Sequence, residues 1–256
     1  METQSNVAIK LHQLNPNWSE NIKANYIKHA LREYNIHKEL NHQNIVKLYD
    51  TIEIDANSFC TVLEYCKGPD MSSYMKKYKC LPEKEAKAIL FQLLSGIKYL
   101  HDHKNKIIHF DLKPQNILFH DGLVKISDFG LCKIMDSDAT VLELTSQGVG
   151  TYWYLPPECF LIGDTPPKIS PKVDIWSIGV IYYEMLFGMK PFGHGMTQEK
   201  IMKDQIILKA TNIAFPLKSN VSNESREFIK KCLTYKQEER WDITAAFSSS
   251  FIQKSK

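Results

Sequence analysis

His109-Phe110-Asp111-Leu112-Lys113-Pro114-Gln115-Asn116, followed a little later by Asp128-Phe129-Gly130, is the stretch on which the reading of this chain turns. Asp111, a lysine two residues on and an asparagine three further set a base, a cation and an oxygen ligand on one tight loop. Between the two strings, residues 116–119 and 123–126 are strand-like, with Asp121-Gly122 as a tight-turn pair. If that hairpin folds back, Asp128 adds a second oxygen ligand to the loop. Hard oxygen ligands beside a cation suit Mg²⁺ and a polyphosphate. Any one of these residues alone reads more simply as a charge on a surface loop. Their combination at this spacing argues for chemistry.

Upstream, residues 6–12 read as a strand and 13–21 as a polar connection. Apolar residues at Ile22, Tyr26, Ile27, Ala30, Leu31, Tyr34 and Leu40 predict an amphipathic helix over 22–40. Residues 45–54 and 58–65 predict a hairpin turning at Asp55-Ala56-Asn57. Gly68-Pro69 breaks the chain and reads as a hinge between a small lobe, 1–66, and a larger helical lobe, 67–256. Residues 71–78 open that second lobe. Pro82-Glu83 then starts a long helix with a wide stripe of Ala86, Ile89, Leu90, Leu93, Leu94, Ile97 and Leu100. Residues 131–171 are turn-rich, with a short helix expected at 157–161. Residues 173–187 are apolar on every side and predict a buried central helix. Shorter helices fit 198–207, 222–233 and 242–247.

Composition excludes several classes. The chain has 256 residues, 43% hydrophobic and 24% charged, close to globular averages and enough for a real core. Lys plus Arg is 32 against 29 for Asp plus Glu, a net charge of +3. That balance gives no argument for direct nucleic-acid binding. No apolar run reaches the roughly 18 residues of a membrane span, and residues 1–10 lack a signal-peptide pattern. A reducing compartment is therefore expected, with Cys60, Cys66, Cys80, Cys132, Cys159 and Cys232 as free thiols. None forms a CxxC pair, which argues against zinc. Sustained heptads are absent, so oligomerisation by coiled coil is not indicated.

The chain resembles the eukaryotic protein kinases along essentially its whole length. Val7-Ala8-Ile9-Lys10 is similar to the strand that carries the ATP-anchoring lysine, and Glu33 matches its helix partner. Leu63 fits the gatekeeper position, Glu64 to Cys66 the adenine hinge and Asp70 the ribose contact. Gly150-Thr151 to Pro156-Pro157-Glu158 resembles the substrate-positioning loop, and Asp174-Ile175-Trp176-Ser177-Ile178-Gly179 the central-helix signature. Arg240 sits where the family pairs an arginine with the glutamate that is here Glu158. The resemblance implies an α+β, bilobal kinase fold with a mainly helical C-lobe, binding ATP and Mg²⁺. It implies that Asp111 takes the substrate hydroxyl proton, Lys113 contacts the transferred phosphoryl group, and Asn116 and Asp128 hold Mg²⁺. Lys10 holds the α/β-phosphates, Thr151 bonds near Asp111 and Lys113, and Ala8 and Leu118 join the nucleotide pocket. A lysine two residues after Asp111 is the serine/threonine-type pattern.

The strings Thr145-Ser146-Gln147-Gly148-Val149-Gly150-Thr151-Tyr152-Trp153-Tyr154-Leu155-Pro156-Pro157-Glu158-Cys159-Phe160 and Lys190-Pro191-Phe192-Gly193-His194, with 10–15, 32–40 and 59–66, resemble the Tousled-like kinases. That resemblance implies a nuclear serine/threonine kinase acting on a histone chaperone in chromatin assembly.

Two departures from the family stand out. No glycine-rich phosphate loop precedes Lys10, so a truncated N-lobe lacking the first two strands is expected, with weak ATP binding. Phe110 replaces the arginine common before the catalytic aspartate, so activation through that arginine is not expected. Ser137, Thr140, Thr145 and Ser146 are ordinary loop hydroxyls. Cys132 reads as a buried thiol rather than a redox switch, and His109 as packing beneath Phe129. Tyr152-Trp153-Tyr154 reads as packing rather than a base-stacking platform. The competing functional classes are an active kinase and a truncated, non-catalytic binding module.

Overall fold

The computed structural model describes residues 6–55, 57–135, 139–144 and 150–253. The first lobe is an antiparallel sheet in the order β1-β3-β2, formed by β1 (Val7–Gln13), β2 (Leu48–Asp55) and β3 (Ser58–Glu64). Strand alternation turns Ala8, Lys10 and His12 inward and leaves Val7, Ile9 and Leu11 exposed. Helix α1 (Glu20–His37) starts where Ser19 accepts the amide of Ile22, a serine cap ahead of the apolar periodicity.

β2 begins three residues later than the sequence predicts. Ile45 and Val46 are buried between the lobes instead. The Val46 amide bonds the Ile126 carbonyl at 2.9 Å, and the Ile126 amide bonds the Asn44 carbonyl at 2.9 Å. The Gly68-Pro69 break is likewise pinned to the second lobe. Gly68 N–H donates to the Phe119 carbonyl at 2.9 Å, and Phe119 N–H to the Pro69 carbonyl at 3.2 Å. A Cβ at Gly68 would lie 2.7 Å from that Phe119 oxygen, so only glycine fits there.

The second lobe is built from α2 (Met71–Tyr78), α3 (Glu83–His101), α4 (Lys172–Phe187), α5 (Gln198–Lys203), α6 (Asn223–Cys232), α7 (Ile243–Phe247) and α8 (Ser250–Gln253). α4 is buried nearly all round, as its composition predicts, and packs against α3 and α6. Gly179 permits the close approach to α6, because a Cβ there would sit 2.8 Å from Cys232 Cβ. α5 stops at Lys203 rather than continuing to Ile207, because Gln205 takes a positive φ of 53°. Between α3 and α4 run β4 (Ile107–Ile108), β5 (Ile117–His120), β6 (Leu123–Ile126), β7 (Lys133–Ile134), β8 (Leu142–Glu143) and β9 (Lys168–Ile169). β5 and β6 form the predicted hairpin, with positive φ at Asp121 and Gly122. The β4–β7 and β8–β9 pairs are two residues long, too short to leave a periodic signal.

One buried ion pair ties the turn-rich stretch to the base of the lobe. Arg240 donates Nη1–H to Glu158 Oε1 at 2.7 Å and Nη2–H to Oε2 at 3.0 Å. Its Nε–H goes to the Thr234 carbonyl at 2.9 Å, and the guanidinium lies 4.9 Å from the centroid of the Trp176 ring. Removing one partner strands a desolvated charge. Arg240→Ala is therefore expected to cost about 3–5 kcal/mol of unfolding free energy by urea titration, with Arg240→Lys intermediate because it loses the bidentate fork.

Candidate active site

The cleft between the lobes is a cavity of about 260 Å³. Ala8, Lys10, Glu33, Leu63, Glu64, Leu118 and Asp128, all singled out from the sequence, line it. Val46, Thr61, His37 and Ser127 line it as well and carry no sequence signal of their own. Cys66 and Asp70 lie outside this lining. Cys66 is half-buried, and burial followed by the Glu64 charge pushes its thiol up to about 11. Asp70 caps α2, accepting Ser73 N–H at 2.9 Å and Ser73 Oγ–H at 2.7 Å.

Lys10 reaches α1 across the cleft and donates Nζ–H to Glu33 Oε1 at 2.6 Å, with Asp128 Oδ1 at 3.7 Å. Burial disfavours the ammonium, but the Glu33 bond and charge, helped by Asp128, outweigh it and raise the lysine above its ordinary value. Lys10 is therefore a fixed cation at the cleft wall. Glu64 is held from the other side by Lys125 Nζ, 2.8 Å from its Oε1, and by the Lys47 amide. Lys125 is 7% exposed, a buried lysine in the otherwise apolar strand β6. The sequence reading missed this tie, and a lone lysine in an apolar strand is the signal that points to it.

Below the cleft, the predicted loop residues converge. Lys113 Nζ–H donates to Asp111 Oδ2 at 2.6 Å and to Thr151 Oγ1 at 3.1 Å, and Thr151 Oγ1–H donates to Asp111 Oδ1 at 3.1 Å. Asn116 Nδ2–H donates to the Asp111 carbonyl at 2.9 Å and to Oδ2 at 3.2 Å. Thr151 is separated from Asp111 by forty residues of sequence, yet closes a three-membered ring with Asp111 and Lys113. The 3-10 turn Tyr152–Tyr154 that follows packs, with Trp153 Nε1–H donating to the Gly193 carbonyl at 2.9 Å.

The backbone here is strained. Phe110 and Asp128 both hold positive φ, 70° and 64°, a conformation that L-residues adopt at a cost of order 1–2 kcal/mol. Asp174, in the first turn of α4, holds the first of them. Its carboxylate accepts His109 N–H and Phe110 N–H, each at 2.9 Å, and is bonded to His101 Nε2 at 2.8 Å. Burial pushes this carboxyl up, but the His101 bond and charge, with His109 and the Phe110 amide, hold it below the usual aspartate value. His109 packs edge-on against Phe129 at 5.4 Å, as expected, and Cys132 is a buried thiol that desolvation pushes well above its ordinary value. Ser137, Thr145 and Ser146 lie outside the described residues.

The oxygen donors fit Mg²⁺. Among the described residues no hydrogen bond engages Asn116 Oδ1, and Asp128 offers a carboxylate that is about half exposed. One carboxylate and one amide oxygen are the partial set that Mg²⁺ completes with phosphate oxygens and water.

Comparison with known proteins places this geometry. The protein kinase domain model matches residues 1–252. The chain is 55% identical over 248 residues to "Serine/threonine-protein kinase tousled-like 2" of Xenopus tropicalis, covering 94% of this chain and 36% of that protein. It is 55% identical over 248 residues to the human protein of the same name, covering 94% and 32%. It is 50% identical over 254 residues to "Serine/threonine-protein kinase TOUSLED" of Arabidopsis thaliana, covering 98% and 37%. The chain thus spans about a third of the length of these relatives.

The Asp174 anchor gives a pH test. A carboxyl whose pKa is depressed by folding contributes stability that is complete above the unfolded aspartate pKa of about 4 and is lost as pH falls through the folded value. Asp174→Asn is expected to lose about 3 kcal/mol at neutral pH by urea titration. The gap from the parent chain should hold from about pH 5 to 8 and shrink below about pH 4. A gap that widens on acidification contradicts the assignment.

Proposed function

The chain belongs to the protein kinase family, and on that premise we propose that it transfers the γ-phosphoryl group of ATP to serine and threonine hydroxyls of protein substrates. The observation that carries this is the ring in which Lys113 bridges Asp111 and Thr151 beside the cleft that holds Lys10. Asp111 takes the proton of the attacking hydroxyl as the new O–P bond forms and the bond to the leaving ADP oxygen breaks. Lys113 places positive charge beside that carboxylate and beside the incoming phosphoryl oxygens. Lys10, fixed by Glu33, binds the α- and β-phosphates, and the Leu63–Glu64 end of β3 faces the base. Thr151 holds the loop that presents the substrate against Asp111. Asn116 and Asp128 are the residues that would hold Mg²⁺, which neutralises phosphate charge when bound.

The finer reading rests on resemblance. The likeness to Tousled-like kinases supports a nuclear enzyme acting on a histone chaperone in chromatin assembly. A second reading, a kinase-like binding module with weak nucleotide affinity, has one observation in its favour. Among the described residues no glycine-rich loop adjoins Lys10 to cradle phosphates with backbone N–H groups.

Labelled ATP, Mg²⁺ and a panel of histone chaperones and mixed histones separate the two. Transfer by the parent chain is expected, with Asp111→Asn lowering it by roughly 10²–10⁴-fold and Asp128→Asn abolishing the Mg²⁺-dependent transfer. No transfer by a folded parent chain, with nucleotide binding at millimolar level or weaker, selects the binding module.

A further inference from the structure

The string Lys190-Pro191-Phe192-Gly193-His194, distinctive in the sequence, has no part in the ring around Asp111. The fold places it beneath the loop that follows Thr151. Phe192 is buried and stacks on Trp176 of α4, ring centroids 5.6 Å apart. The Gly193 carbonyl accepts Trp153 Nε1–H, and the Lys190 amide donates to His194 Nδ1 at 3.2 Å. So mounted, Lys190 extends along two rings of the loop, its ammonium 5.6 Å from the Trp153 centroid and 5.7 Å from that of Tyr154. It donates to Glu184 Oε1 at 3.1 Å, while the Tyr154 hydroxyl donates to Glu184 Oε2 at 2.6 Å. Both oxygens of Glu184 are thus occupied. The Lys190 side chain is 22% exposed against 14% for Glu184, so the lysine is the more open member of the pair. The same pairing recurs at three carboxylates on or bonded to this loop. Asp111, which accepts from Thr151, has Lys113; Glu158, on the loop itself, has Arg240; Glu184 has Lys190.

Resting on the phosphoryl-transfer reading above, we propose that Lys190 is a specificity-determining residue. It closes Glu184 to substrate cations and turns this loop toward substrates with an acidic residue close to the acceptor hydroxyl. A substrate arginine or lysine at the pair meets the Lys190 charge and finds the Glu184 oxygens taken. A substrate carboxylate can take a further donor, since an ammonium has three N–H groups and Glu184 accepts one. The reach follows from the chain. Tyr154 lies three residues beyond Thr151, which bonds Asp111, and three extended residues span at most about 10 Å. The acid is therefore read within about three residues of the acceptor, on either side.

Initial rates of phosphoryl transfer by the full 256-residue chain test it. The peptides have one serine acceptor and carry Asp, Ala or Arg, in turn, at each of the three positions on either side. At one position or more the parent chain is expected to use the Asp peptide about tenfold faster than the Arg peptide, with Ala between. Lys190→Met keeps the aliphatic stem against Trp153 and Tyr154 and removes the charge. It should raise the Arg-to-Asp rate ratio at that position about tenfold, whatever it does to the absolute rate, because Glu184 is then open to the guanidinium. Adding Glu184→Gln should cancel that gain, whereas a purely structural role for Lys190 would slow every peptide alike. Melting temperatures check folding, and Lys190→Gln, which can still donate to Glu184, stands in should the Met variant not fold. The same peptides with the serine changed to alanine, fluorescently labelled, give the preference by anisotropy without any transfer. Asp over Ala over Arg in binding, with no transfer, overturns the kinase reading and leaves the selection by Lys190. Equal rates for Asp and Arg at every position, equal binding where there is no transfer, or a ratio unmoved by removing the Lys190 charge overturns the proposal and not the kinase reading. Neither transfer nor binding with any peptide overturns both.

Discussion

A single buried carboxylate sets the geometry of the catalytic loop. Asp174 is fully buried, where an unpaired charge would be strongly unfavourable. Its position is stable because both oxygens are occupied: Phe110 N–H on one, His109 N–H and His101 on the other. It also sits in the first turn of α4, where the helix dipole favours negative charge. The consequence runs outward along the chain. Two consecutive amides aimed at one side chain force Phe110 into positive φ, and that reversal delivers Asp111 to the cleft side. Lys113, Thr151 and Asn116 then close on Asp111. The most apolar helix in the molecule thus serves as the rigid mount for its most polar loop.

The two lobes are joined by more than the connecting segment. Lys125 on β6 reaches up to Glu64 at the end of β3, and Asn44 bonds the Val124 carbonyl at 2.9 Å. Val46 and Asn44 bracket Ile126 through the backbone. These contacts fix the floor of the cleft relative to β3, while Lys10 and Glu33 span its opposite wall with Lys10 still 40% exposed. The cleft is therefore stiff along the β3–β6 side and softer along the α1 side.

The strongly periodic elements were legible in sequence for a physical reason. α3 and α4 owe their positions to burial of stripes that any 3.6-residue reading detects, and the β5–β6 turn is written in Asp121-Gly122. The loop chemistry was legible because Asp111, Lys113, Asn116 and Asp128 are close in sequence. Partnerships between distant residues were legible only through family resemblance, as with Thr151–Asp111 and Glu158–Arg240, or not at all, as with Glu64–Lys125 and His101–Asp174. Nothing local marks such pairs, since each partner alone is an ordinary polar residue. The start of β2 was misplaced because Ile45 and Val46 have the composition of a strand but are buried between lobes. Asp70, read for a ligand contact, also caps a helix by accepting from Ser73, a role its sequence position alone did not single out.

Phe110 shows how the loop holds without the arginine that the family commonly places there. An arginine at this position would bring a cation beside Asp111 and would itself need a counter-charge. Phe110 is instead 1% exposed, and its ring takes Lys133 on its face at 5.4 Å. The loop is thereby fixed by apolar burial and by the Asp174 bonds, both present whatever the charge state of the turn-rich stretch beyond. Loop order is here carried without a cation at position 110.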